Sequence, residues 1–161
     1  MSAGKSARSL VAAVVLIASI TATAWLAVTY RTDRAHDAAY AEAGPAAATA
    51  AAAVLSYAPD TVTDDLARAR SHLTGDFAAY FDRLGTDVVL PAARQRHMRS
   101  EATVTASSVV SATSDHAVAL VFLSQVTTAD DLARPTTVSS TLRLELTKVG
   151  HHWLVTELDS V

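Results

Sequence analysis

The sequence predicts an α+β domain carried behind a membrane-spanning helix. Three observations predict it. Residues 10–30 form an uncharged, apolar run. Between Leu66 and Val88, apolar side chains recur at three- and four-residue steps, the period of a helix with one buried face. After Ser100 the period changes to two-residue alternation broken by short turn signals, as half-buried strands require. Helices first and strands last is the order of an α+β fold with an antiparallel sheet.

Composition narrows the function classes. The 161 residues include 34 alanines and no cysteine, which excludes disulfides, cysteine-based zinc sites and a cysteine nucleophile. The net charge is −3, and residues 31–161 taken alone carry 11 basic and 16 acidic side chains. Such a chain lacks the basic face that neutralises nucleic-acid phosphates.

The front of the chain sets the compartment. Residues 1–9 are a short tail with Lys5 and Arg8. Residues 10–30, LVAAVVLIASITATAWLAVTY, hold no charge; a helix of this length rises about 31 Å, enough to cross the hydrocarbon core of a bilayer. Trp25 and Tyr30 fall in its last turns, where aromatic rings suit the headgroup level. A signal peptide cut near Ala22-Thr23-Ala24 is the competing reading. The apolar run continues past that cut through Trp25, Leu26, Ala27 and Val28, which favours an anchor. Arg31 and Arg34 nearly balance the basic tail; a cytoplasmic N-terminus and an extracytoplasmic C-terminal part are expected.

Residues 31–57 read as a helical stalk interrupted at Gly44-Pro45, with Pro45 opening a new helix toward Tyr57. The alanine-rich stretch 46–53 reads as a spacer with small side chains, which also permit close packing of a second copy. Residues 58–161 are expected to be the folded domain. Ala58-Pro59-Asp60 ends the stalk, and Thr61 or Thr63 is placed to cap the next helix. Asp64 and Asp65 then face the positive end of its dipole. Leu66, Ala69, Leu73, Phe77, Tyr80 or Phe81, Leu84 and Val88 form the core stripe, with Gly75 as a joint between two helices. A third segment, 87–98, carries Pro91 in its first turn and the basic cluster Arg94, Arg96, His97 and Arg99. That cluster reads as a solvated helix end or as a docking patch for an acidic partner.

Four strands follow: 101–112, 116–126, 136–149 and 152–159. Thr113-Ser114-Asp115 and Gly150 mark turns, and 127–135 is a polar loop. HAVALVFLSQV (116–126) is apolar on both faces, which predicts a central strand covered on both sides. In the third strand Val138, Leu142, Leu144 and Leu146 point one way, and Thr141, Arg143, Glu145 and Thr147 the other.

No residues are assigned catalytic, cofactor-binding or metal-binding roles. His151-His152 stands out, but neighbours on a strand point to opposite faces. His36, His72, His97 and His116 have no fixed spacing to that pair. The glycines are too scattered for a phosphate loop, and no G-x-S-x-G elbow occurs. Asp130-Asp131 reads as a solubilising loop. Tyr57, Tyr80 and Asp76 are the residues a pocket acid and tyrosine donor would come from.

Three strings carry a resemblance: Ser56-Tyr57-Ala58-Pro59-Asp60-Thr61 with Asp65-Leu66-Ala67-Arg68-Ala69, then Leu73-Thr74-Gly75-Asp76-Phe77 with Tyr80, and the terminal Trp153-Leu154-Val155. In this order they resemble the Mce-associated membrane proteins, accessory subunits of the mammalian-cell-entry lipid transporters of actinobacteria. The resemblance covers nearly the whole chain. It departs at the last hairpin, where the family's Gly-x-Trp becomes Gly150-His151-His152-Trp153. The resemblance implies a cystatin-like or NTF2-like cone behind one membrane helix. It also implies a non-catalytic role in assembly or stability of an Mce-type lipid or sterol transport complex, with no cofactor and with Mce subunits as partners. VirB8-type secretion scaffolds share this plan and are one alternative; an NTF2-like apolar-ligand binder or enzyme is another.

Overall fold

The computed structural model describes residues 36–161. The expected tail and the span 10–30 lie outside the described residues. Among the described residues no helix is long and apolar enough to cross a membrane.

Residues 38–161 form one compact unit of helices packed on a four-stranded antiparallel sheet. The helical layer comprises α1 (36–55), α2 (Val62–Arg70), α3 (Gly75–Leu84) and α4 (Leu90–Gln95). The sheet is a meander of β1 (Arg99–Ala112), β2 (His116–Thr128), β3 (Thr136–Val149) and β4 (His152–Ser160), in that spatial order. The strands therefore follow the alternation read in the sequence, with ends that differ by no more than two residues.

The expected break at Gly44-Pro45 is absent. α1 runs through it. One part of the strain a proline puts on a helix is the clash of its ring with the Cβ of the preceding residue, and Gly44 has none. Nor is the alanine stretch a bare spacer. Ala39, Ala43, Ala47, Ala50 and Ala51 are buried in the main core cluster, and their three- and four-residue spacing makes one helix face. Small side chains serve close approach here: a Cβ on Gly44 would stand 3.4 Å from Val109 Cγ2 on β1.

The second half of the helical layer also departs from expectation. α3 and α4 are joined through a π-helical turn, Gly85–Val89, with helical backbone at both junctions, so 87–98 is not a separate segment. Pro91 lies in the first turn of α4. The wider π turn just before it lets the rod continue past a residue that cannot donate its own N–H. The rod stops at Gln95 rather than Met98, and His97 adopts a left-handed backbone (φ 46°). Thr61 precedes α2 but caps nothing with its side chain; its hydroxyl donates instead to Asp65 Oδ2 at 2.6 Å.

The core lies between helices and sheet. Leu142, Leu144 and Leu146 of β3 are buried with Val121 of β2 and Val155 of β4, as the alternation predicts. Phe81 takes the core position, while Tyr80 is exposed. Among the described residues the expected cover on the second face of β2 is incomplete. Ala117, Ala119, Val121 and Leu123 are buried, but on the opposite face Phe122 and Val126 remain 40% and 38% exposed. The last hairpin resolves the Gly-x-x-Trp departure. Val149 pairs with His152, leaving Gly150-His151 as a two-residue turn, with Gly150 at φ 63°, as tight hairpin turns prefer. A bulge opposite Glu145 and Leu146 restores Val155 to the core face.

Candidate interaction surfaces

Both edges of the sheet are partly sealed by the chain itself. On the β1 side, Tyr57 exchanges both backbone hydrogen bonds with Ser100 (2.9 and 3.0 Å). Ser100 is a buried polar residue. Its hydroxyl donates to the Leu55 carbonyl at 2.7 Å and accepts from Gln125 Nε2 at 2.7 Å. On the β4 side, the Val155 N–H donates to the His72 carbonyl and the Thr74 N–H donates to the Val155 carbonyl.

Two open surfaces stand out among the described residues. The first is a groove of about 850 Å³ between α1, the α2–α3 joint and the β3–β4 hairpin. Ala41, Glu42, Pro45, Ala46 and Thr49 form its α1 wall. Val149, His151, His152, Trp153 and Leu154 form the hairpin wall, with Ser71 and His72 at one end. Glu42 Oε2 accepts from Lys148 Nζ at 2.6 Å and from Trp153 Nε1 at 3.1 Å. The ammonium also sits 5.4 Å from the indole centroid, within cation–π range. The Lys148 hydrogen bond, then that of Trp153, holds the Glu42 carboxyl below its ordinary value.

The second surface is the outer face of the sheet. Phe122 and Val126 of β2 lie beside Thr141 and Thr137 of β3. Toward the β4 edge, Arg143 donates to Glu145 at 2.5 Å. That bond, with Glu157 and Asp159 nearby, strengthens the hold of Arg143 on its proton.

The sequence-singled residues distribute as follows. His151, His152 and His72 share the groove, although among the described residues no group of three His, Asp or Glu is placed to hold a metal ion. His36 lies in the first described turn of α1, and His116 begins β2, 3.8 Å from Asp115. The basic cluster is largely engaged by its own fold. Arg96 pairs with Asp131 at 2.5 Å, His97 Nδ1 lies 2.6 Å from Asp130, and Arg94 donates to Thr63. Asp130-Asp131 thus pins the β2–β3 loop to the end of α4 besides being solvated. Asp65 accepts from Thr61, from the Ala58 N–H and from Arg68, while Asp64 is exposed on α2. Tyr57, Tyr80 and Asp76 do not assemble in the groove: Tyr57 pairs with β1, and Tyr80 and Asp76 are exposed on α3. Phe77, Phe81 and Trp153 pack in or against the core cluster, and Trp153 also lines the groove. Glu42, Lys148 and Ser100 were not legible as partners, since 106 residues separate the first two and no local pattern links them.

No protein-family model matches the chain. The outer membrane protein Rv1973 of Mycobacterium tuberculosis is 42% identical over 123 residues, 76% of this chain and 76% of that protein. The chain belongs to the family of Rv1973. Rv1362c of Mycobacterium tuberculosis is also similar, 42% identical over 142 residues, 87% of this chain. The chain spans 64% of the length of Rv1362c.

Among solved structures, the fold of this family is shared with the periplasmic domain of DotI (TM-score 0.59, 13% identity, 73% of this chain and 91% of that one). It is shared with CagV, a VirB8 homologue of the type IV secretion system from Helicobacter pylori (0.55, 12%, 74% and 95%). An IcmL-like type IV secretion system protein from Legionella pneumophila also has it (0.56, 14%, 73% and 88%).

Proposed function

We propose that the chain is a non-catalytic scaffold subunit of the VirB8 kind. It is tethered to the cell membrane by residues 10–30 and exposes its α+β domain outside the cytoplasm to the other subunits of an envelope assembly. The observation that carries this reading is the fold shared with DotI and CagV over about three-quarters of the chain. The name of Rv1973 and the periplasmic setting of the DotI domain support an envelope location. The open β2 face supplies a contact surface. The separation of Tyr57, Tyr80 and Asp76 from the groove supports a role without catalysis.

A second reading assigns the assembly to an Mce-type lipid or sterol transporter. It rests on the resemblance of short strings in the sequence. The two most specific strings of the resemblance, LTGDF and W-L-V, meet in space at Leu73 and Val155. Relatives at 42% identity also come from an actinobacterium. Under this reading the partners are Mce subunits and the scaffold role is unchanged.

Purification of the full chain from detergent-extracted membranes, with mass spectrometry of co-purifying proteins, tests both. Recovery with secretion-channel subunits supports the first reading, and recovery with Mce subunits supports the second. A freely soluble product, or one that turns over a substrate unaided, overturns both.

A further inference from the structure

α1 crosses Gly44-Pro45 one hydrogen bond short, because Pro45 has no N–H to give the Ala41 carbonyl, and Gly44 adds the backbone freedom of a residue without Cβ. The two halves of the helix share one buried alanine face in the core cluster but differ in their other contacts. Residues 45–55 are fixed by Ala47, Ala50 and Ala51 in the core, by the partly buried Val54 and Leu55, and by the Ser100 hydroxyl on the Leu55 carbonyl. Residues 38–44 bury Ala39 and Ala43 in that same cluster as fully as the alanines beyond them, but bring no larger apolar side chain to it, and their one charged side chain is Glu42. Glu42 in turn is gripped by Lys148 from β3 and by Trp153 from β4.

We infer that residues 38–44 are a hinged arm, latched to the β3–β4 hairpin through Glu42 and pivoting at Gly44-Pro45, while residues 45–55 stay with the core. Among the described residues the charged and titratable groups facing Glu42 are Lys148 on β3 and His151 in the hairpin turn, with His72 lining the same groove from the α2–α3 joint. Opening the arm uncovers the indole of Trp153 and widens the groove, so the same latch controls access to that surface. The inference stands on contacts within the domain and does not depend on which envelope assembly the chain serves.

Hydrogen exchange read by mass spectrometry on the full chain in detergent tests it. Glu42→Gln and Lys148→Met are each expected to speed exchange of the 39–43 amides about ten-fold at neutral pH, with residues 47–55 unchanged. Adding Pro45→Ala to Glu42→Gln returns the missing hydrogen bond and is expected to slow exchange of residues 39–43 back toward wild type. Unchanged exchange at 39–43 in both single variants overturns the latch. A rise that spreads equally into 47–55, or no recovery with Pro45→Ala, overturns the hinge.

Discussion

Leu73, at the joint between α2 and α3, forms a parallel bridge with Val155 of β4. Around it the Thr74 N–H reaches the Val155 carbonyl at 3.0 Å, and the Val155 N–H reaches the His72 carbonyl at 2.9 Å. The string Leu73-Thr74-Gly75-Asp76-Phe77 is therefore a fold-bearing joint. Leu73 is buried, Gly75 makes the turn at φ 62°, Asp76 sits in the first turn of α3, and Phe77 packs against the core.

Gly75 is needed for its backbone, since nothing lies within 4 Å of where its Cβ would be. A left-handed conformation costs an ordinary residue about 1–2 kcal/mol. Gly75→Ala is expected to lower unfolding free energy by about that much in urea titration. An unchanged midpoint would show that the joint relaxes without cost.

Leu142 and Val138 share a face of β3 but not a fate: Leu142 is 5% exposed and Val138 is 50% exposed. Leu142→Ala is expected to cost about 2–5 kcal/mol, and Leu142→Asp to abolish cooperative folding by burying a charge. Val138→Asp is expected to stay within about 0.5 kcal/mol. Equal melting curves for Leu142→Asp and Val138→Asp would contradict the placement of the core.

Ser100 ties the end of α1 to β1 and β2. Ser100→Ala leaves the Leu55 carbonyl and the Gln125 amide short of a partner. Its expected cost is about 1–3 kcal/mol. Thermal melts of Ser100→Ala and of the exposed control Ser108→Ala provide the comparison, and equal losses would contradict the role of this hydroxyl.

Burial favours the neutral form of Asp65, yet the hydrogen bonds from Thr61, the Ala58 N–H and Arg68 outweigh it and hold the carboxyl below its ordinary value. A carboxyl whose folded pKa is depressed contributes stability above its unfolded value, near about 4. That contribution disappears as pH falls through the folded pKa. Between pH 7 and pH 3 the wild-type protein is therefore expected to lose more stability than Asp65→Asn. Parallel losses in urea titrations at the two pH values would contradict the assignment.

Much of the fold was legible because it rests on local period. The leucines of β3 and the Thr113–Asp115 and Gly150 turns are fixed by alternation and turn chemistry within a few residues. What escaped depends on tertiary contact. Gly44-Pro45 reads as a stop, and the burial of alanines on both sides of it in one core cluster, a tertiary contact, is what the local pattern does not show. The apolar outer face of β2 predicted a cover, because sequence marks a face as apolar without saying whether its partner is another part of the chain. Arg96 and His97 read as a free basic cluster, since their carboxylate partners lie 35 and 33 residues away.

The most direct measurement is site-specific photocrosslinking in intact cells from position 122 on the open β2 face, with position 76 on α3 as the control. The account predicts that a photoreactive residue replacing Phe122 forms a covalent adduct with another subunit of an envelope assembly, in the membrane fraction, and that the same residue replacing Asp76 does not. No adduct from position 122, with the full chain recovered as a soluble monomer, would contradict it.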